Sequence, residues 1–121
     1  MNKIVSFFLG LVICNFSIAQ QKNDWANFSK YEEANKIAPR GAVVFMGNSI
    51  TEGWVNTSPD FFKNNNYIGR GISGQVSSQM LVRFRRDVID LKPRAVVILS
   101  GTNDIAQNNG FIDKHIGDAI M

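Results

Sequence analysis

Three apolar runs without alternation, each ending in a short polar turn, constrain this chain more than any other feature. Ala42-Val43-Val44-Phe45-Met46 runs into Gly47-Asn48-Ser49-Ile50-Thr51, and Tyr67-Ile68 leads to Gly71-Ile72-Ser73-Gly74. Ala95-Val96-Val97-Ile98-Leu99 ends in Gly101-Thr102-Asn103-Asp104. An uninterrupted apolar run suits a strand covered on both faces, as in parallel sheets with helices on either side. Between the second and third runs, Gln75 to Leu91 carries Val76, Met80, Phe84, Val88 and Leu91 at helical spacing, and Lys92-Pro93 stops it. Arg83, Arg86, Asp87 and Asp90 fall largely off that stripe, which predicts a solvated face with weak charge pairs.

The remaining elements are weaker. Asp24 to Ile37 reads as a helix with Trp25, Phe28, Tyr31 and Ala34 on one side, Asn23 or Asp24 as its cap and Pro39-Arg40-Gly41 as its stop. The stretch after Ser49 reads as irregular, with a short helix around Pro59 to Lys63 and a turn at Asn64-Asn65-Asn66. Phe111 to Met121 reads as the start of a further helix, with Ile112, Ile116 and Ile120 on one line. Strands alternating with helices predict a parallel sheet flanked by helices. In such sheets the site lies beyond the carboxyl ends of the strands, where all three polar turns fall.

Those turns hold the parts of an acyl-transfer site. A serine hydroxyl needs a base to take its proton and donors to hold the oxyanion that follows. Ser49 follows the first strand; its own N–H, that of Gly74 and the Asn103 side-chain amide are candidates to converge on one oxygen. Each has a plainer role open to it, Ser49 as a helix cap, Gly74 as a turn residue and Asn103 as a turn or cap beside Asp104. Their joint occurrence at three strand ends favours the catalytic role. Ser73, Ser77 and Ser78 are poorer nucleophile candidates, because Ser77 and Ser78 fall in the first turn of the following helix.

Composition limits the alternatives. The chain has 121 residues and one cysteine, Cys14. Met1-Asn2-Lys3, the apolar stretch Ile4 to Cys14 and Ser17-Ile18-Ala19 have the order of an export signal, with cleavage expected after Ala19. The apolar stretch is shorter than the ~20 residues a membrane-spanning helix needs. Leu11-Val12-Ile13-Cys14 resembles a lipoprotein box only loosely, since Val12 and Ile13 are bulky; lipidation at Cys14 stays an alternative. The mature chain would hold no thiol, which excludes cysteine catalysis, disulfides and cysteine-ligated metal. Loss of Lys3 takes the formal charge from +3 to +2, and no basic tract points to nucleic acid.

The three blocks together resemble the first three sequence blocks of the SGNH hydrolases, the GDSL-type esterases and lipases, from about Val43 to Asp104. The resemblance implies a three-layer, flavodoxin-like α/β sandwich with a parallel sheet, of which the first three strands are present. It implies Ser49 as nucleophile, Gly74 and Asn103 completing the oxyanion hole, and ester hydrolysis through an acyl-enzyme with no metal or cofactor. Asn48 stands where the family name has aspartate, and Gly69 where an asparagine is often found. The family's Asp-x-x-His block, which supplies the base and its carboxylate, has no counterpart. His115, the only histidine, sits in Asp113-Lys114-His115 and reads as an exposed helix residue.

The expected organisation is a signal peptide over 1–19, an amino-terminal helix and linker over 20–41, and the amino-terminal part of a hydrolase domain over 42–121. The expected substrate is a small-molecule or glycan ester, with an O-acetyl group on a carbohydrate the first choice, a lipid acyl ester the second, and a non-catalytic truncated remnant the reading of another class. Neither nucleic acid nor stable membrane insertion is expected. Gly69-Arg70-Gly71-Ile72-Ser73-Gly74 matches the dinucleotide-binding spacing, but it follows the second strand, and Asp87 and Asp90 lie within the helix. Nicotinamide binding is therefore not expected.

Overall fold

The computed structural model of the chain describes residues 24–107. The leader, the expected helix from Phe111 and His115 lie outside the described residues. A 3-10 turn at Phe28–Tyr31 leads into α1 (Glu32–Lys36), then β1 (Val43–Gly47), α2 (Ser49–Thr57) and α3 (Pro59–Asn64). β2 (Tyr67–Gly71), α4 (Ser77–Asp87), a second 3-10 turn (Ile89–Leu91), β3 (Ala95–Ile98) and α5 (Thr102–Gln107) follow. The strands are all parallel, in the order β2-β1-β3, with Val43 opposite Tyr67 and Ala95. This is the α/β architecture that the apolar runs predict, with β1 at its centre.

The two-residue period of a strand divides β1 between two cores. Ala42, Val44 and Met46 pack with Ile68, Met80, Val88 and Leu91 beneath α4. Val43 and Phe45 face the other way, onto Phe62, Val55 and Tyr67 under α2 and α3. Burying Val44 and Met46 completely contributes about 1.5–3 kcal/mol each. On the α2–α3 side Phe45 meets Phe62 edge-on, with ring centroids 5.2 Å apart, and Trp54 at 5.6 Å. Trp54, Phe61 and Phe62 thus belong to one aromatic cluster. Gly71 lets α2 lie over the end of β2, because a Cβ there would come within 2.8 Å of the Asn48 carbonyl oxygen.

Three local expectations are corrected. The helix expected over 24–37 is a 3-10 turn followed by the five-residue α1. The cap position is Asn27, left-handed and without a side-chain cap bond, rather than Asn23 or Asp24; the Asp24 carboxylate still accepts from the N–H groups of Phe28 (2.6 Å) and Ser29 (3.0 Å). The segment after Ser49 is helical rather than irregular. Asn48 caps it by accepting from the Ile50 N–H at 3.0 Å, while Gly53 and the β-branched Ile50, Thr51 and Val55 weaken its pattern in the sequence. The helix expected over 75–91 is confined to Ser77–Asp87 plus the 3-10 turn, because Gln75 is bonded elsewhere and Lys92 turns left-handed.

The largest correction concerns charge. Arg83 and Asp87 are not on a solvated face: both are 0 % exposed. The Arg83 guanidinium donates to Asp87 Oδ2 (3.0 Å), Gln75 Oε1 (2.6 Å), the Arg70 carbonyl (2.8 Å) and the Gly47 carbonyl (3.3 Å). Gly47 and Arg70 lie at the carboxyl ends of β1 and β2, so one side chain of α4 ties both strand ends together. Burial pulls the Arg83 pKa below its ordinary value, and the bonded Asp87 carboxylate opposes that shift.

A second tie comes from the amino-terminal segment. The Tyr31 hydroxyl donates to the Gly71 carbonyl, and Lys30 pairs with Glu52, whose other oxygen accepts from the Ser73 N–H (2.7 Å) and Oγ (2.5 Å). The Lys30 ammonium, followed by Ser73, holds the Glu52 carboxyl below its ordinary value of 4.5. A depressed carboxyl pKa contributes stability that is whole above the ordinary value and is lost as pH falls through the depressed one. Partial solvent exposure of Lys30 and Glu52 weakens this contribution.

Two outcomes are expected. Arg83→Met leaves Asp87 buried without its cation and lowers stability by about 3–5 kcal/mol in urea denaturation, whereas Arg83→Met combined with Asp87→Leu recovers part of the loss. In an NMR titration the Ser73 amide shift follows Glu52 with a midpoint below the ordinary carboxyl value, and the transition is absent in Glu52→Gln.

Candidate active site

The carboxyl ends of β1, β2 and β3 each open into one of the three polar turns. β1 is central, and the chain leaves it toward β2 on one side before crossing to β3 on the other. That reversal of strand order is where parallel sheets form a crevice at their carboxyl edge. Ser49 is the first residue of α2, exposed, immediately after β1 and its Asn48 cap. Asn48 therefore takes the capping role that Ser49 was also open to, and its amide oxygen does there what an aspartate oxygen would do. The Ser49 hydroxyl makes no hydrogen bond among the described residues.

Gly74 lies in the turn after β2, exposed, with φ of +77°, a conformation that side chains other than glycine rarely adopt. Among the described residues other than its chain neighbours, no heavy atom lies within 4 Å of where a Cβ would stand. The turn is held beneath: the Ile72 N–H donates to the Gly47 carbonyl (3.1 Å) and the Gln75 N–H to the Ile72 carbonyl (3.3 Å). From above, Gln107 Nε2 donates to the Gly74 carbonyl at 2.7 Å.

Asn103 sits in the first turn of α5, half-buried, and its Nδ2 donates to the Gln75 carbonyl at 2.9 Å. The turn after β3 is thereby joined to the turn after β2. Asp104, fully buried, turns the other way and accepts from the N–H (3.0 Å) and Oγ (2.6 Å) of Ser77 at the start of α4. It caps that helix, where a negative charge meets the positive end of the helix dipole. Asp104 is thus a structural partner of Ser77 rather than of Ser49.

Three sequence-predicted residues therefore occupy the carboxyl edges of three adjacent strands. Gln75 escaped the sequence reading. It is buried, and it bonds Arg83, the Ala26 carbonyl and Asn103 at once. Its position directly after Gly74 was the available signal, obscured because it also fits the start of the predicted helix. Gly69, where the resemblance has asparagine, lies in β2 under Val55, and a Cβ would strike that side chain. Among the described residues no group of three or more histidine, cysteine, aspartate or glutamate side chains could hold a metal ion. None of their helices is long and apolar enough to cross a membrane.

Comparison with known proteins agrees with this arrangement. Residues 45–115 match the GDSL-like Lipase/Acylhydrolase family. A GDSL-like lipase from Bacteroides thetaiotaomicron is similar in structure, with a TM-score of 0.70 and 54% identity over 80% of this chain and 51% of that one. An inferred acylhydrolase from Bacteroides fragilis matches with a TM-score of 0.72 and 57% identity, over 81% of this chain and 50% of that one. The lipoprotein YqeF of Bacillus subtilis, itself uncharacterized, is 35% identical over 53% of this chain and 32% of its own length. The chain thus spans about half the length of the solved relatives and a third of the curated one. With its family-defining region running from inside β1 through all three polar turns, the chain belongs to the GDSL-like lipase/acylhydrolase family.

Proposed function

We propose that the chain carries the nucleophile and oxyanion hole of an exported serine esterase, and that its substrate is an O-acetyl group on a carbohydrate. The observation that carries the reading is the join between the turns after β2 and β3, where Asn103 Nδ2 donates to the Gln75 carbonyl beside Gly74. In this reading Ser49 Oγ attacks the ester carbonyl carbon and the carbonyl oxygen becomes an oxyanion. The N–H groups of Ser49 and Gly74 and the Asn103 amide receive that charge. Collapse breaks the bond to the alcohol, which takes a proton as it departs, and the acyl group stays on Ser49 Oγ. Water then attacks the acyl group, and the carboxylic acid departs as the serine recovers its proton.

A base must take and return those protons. The 121 residues contain no Asp-x-x-His, and the only histidine is His115. The reading assigns the base to the part of the relatives' length that this chain does not span, which makes the chain the front part of a longer hydrolase. Export rests on the leader-like residues 1–19 and is in keeping with the lipoprotein relative. The acetyl-carbohydrate choice follows from export together with the family resemblance. The lipid-ester alternative is separated from it by comparing acetylated glycans with lysolipids as substrates.

In the gene's full-length product, Ser49→Ala is expected to lower kcat for p-nitrophenyl acetate by at least about 10³-fold with the melting temperature unchanged. Retention of activity in Ser49→Ala would remove Ser49 as nucleophile. The 121-residue chain, lacking a base, is expected to turn over the same ester only a little faster than water does. A rate near that of intact relatives would instead place the base within these residues.

A further inference from the structure

We infer that Gln75 is the positioning residue of the oxyanion hole, aiming the Asn103 amide and the Gly74 peptide before substrate arrives. The inference rests on the reading of Ser49, Gly74 and Asn103 given above and adds the group that holds two of them in register.

Gln75 is 3 % exposed, and all its polar groups are engaged. Its Oε1 accepts from Arg83 Nε at 2.6 Å, and its Nε2 donates to the Ala26 carbonyl at 2.6 Å. Its N–H donates to the Ile72 carbonyl at 3.3 Å, and its carbonyl accepts from Asn103 Nδ2 at 2.9 Å. The side chain is thus clamped between the buried guanidinium of α4 and the amino-terminal segment, which leaves its backbone no freedom to turn.

Two consequences follow from the chemistry of the amide. A carboxamide nitrogen carries two hydrogens in one plane. The Gln75 carbonyl takes one, which fixes the rotation of the Asn103 amide and leaves the other hydrogen free for a substrate oxygen. The peptide linking Gly74 to Gln75 is held at both ends, its oxygen by Gln107 Nε2 and its N–H by Ile72. Gly74, at φ of +77°, is then confined on its carboxyl side, while its own N–H makes no hydrogen bond among the described residues. Two donors that reach the crevice from different strands thereby share one buried anchor. Donors fixed in advance need no reorganisation when charge develops, which is the source of their catalytic effect.

Glutamine suits this position in a way its near neighbours do not. Glutamate at 75 would keep an acceptor for Arg83 but lose the donor to Ala26, and leucine would lose both. The test is a double-mutant cycle between Gln75 and Asn103 in the full-length product, with p-nitrophenyl acetate as substrate. Gln75→Leu is expected to lower kcat about 10- to 100-fold with KM changed less than about threefold, because the lost geometry matters in the transition state. Gln75→Glu falls between it and the parent. In an Asn103→Ala background Gln75→Leu costs measurably less than in the parent, since one of the two donors it aims is gone and only the Gly74 peptide remains to be held. Val88→Ala, a buried change remote from the turns, lowers the melting temperature but leaves kcat unchanged.

If Gln75→Leu leaves kcat intact while Ser49→Ala abolishes turnover, the positioning role is overturned and the catalytic reading stands. An equal loss with and without Asn103 also overturns it, since Gln75 would then not act through the Asn103 donor it is inferred to aim. Should Gln75→Leu not fold, Gln75→Glu enters the same cycle, and equal kcat in it and the parent overturns the role. Turnover that survives Ser49→Ala removes the catalytic reading and the positioning role together.

Discussion

The buried Arg83 guanidinium is the contact on which the architecture turns. Removing a cation from water costs several kcal/mol even after the protein relaxes around it, so such a group persists only where its donors are met. Here they are met by one carboxylate, one carboxamide and two strand-end carbonyls. The two carbonyls, of Gly47 and Arg70, lie where the parallel ladder runs out. A carbonyl leaving a sheet into a buried turn needs a new donor; the Gly47 carbonyl also has the Ile72 N–H. Arg83 serves both, and through Gln75 it serves the following turn as well. The fold's most costly buried charge is spent at the edge where the proposed chemistry sits.

The amino-terminal residues complete the same arrangement from outside. Asn35 donates to Asp87 at 2.7 Å and accepts from Arg70 Nε at 2.8 Å, so it touches both ends of the charged network. Arg70 in turn lies over the Tyr31 ring, 4.7 Å from its centroid. Tyr31 and Lys30 then reach the turn after β2 directly or through Glu52. A segment with little regular structure of its own is thus fastened by hydrogen bonds to the rim of the site. Its short elements bury no residue within them, so these polar contacts and Ala26 carry its docking. The turn between β2 and α4 is consequently bonded to Tyr31, to Glu52 and to α5.

Legibility in the sequence followed the physics of each element. β2 carries the buried Arg70 and β3 is largely exposed among the described residues, so these two were legible by their short apolar starts and the polar turns that follow them. β1 was readable because a strand covered on both faces cannot carry polar residues, so its run is continuous. The core stripe of α4 was readable for the same reason at another period: Met80, Val88 and Leu91 are buried as their spacing predicts. Arg83 and Asp87 were not, because an (i, i+4) pair of opposite charge looks the same whether solvent or protein surrounds it. Only the arrival of three foreign acceptors distinguishes the two cases, and those come from residues remote in sequence. α2 was missed because its cap and the residue after it were read for chemistry, and Gly53 weakened its periodicity. The positions of Ser49, Gly74 and Asn103 after the strands were legible; the contacts of Gln75 were not, since both its side chain and its carbonyl bond partners at least eight residues away.

The described residues therefore separate two contributions that ester hydrolysis usually combines. Electrostatic stabilisation of an oxyanion needs donors fixed in space, and a central strand with its two neighbours is the smallest unit that can bring three turns together. Among the described residues, the hydrogen bonds of Gln75, Asn103 and Gln107 join those turns. Proton transfer makes a different demand. It needs a group whose pKa lies near the working pH, which for a serine nucleophile is ordinarily an imidazole. Such a group has no structural duty toward the first three strands and is free to come from anywhere that reaches the crevice. Oxyanion donors alone retain measurable rate enhancement when a triad member is absent. On the proposed reading, the oxyanion hole would be a property of the local fold, set before any base approaches, and the base would complete a site whose geometry it does not determine.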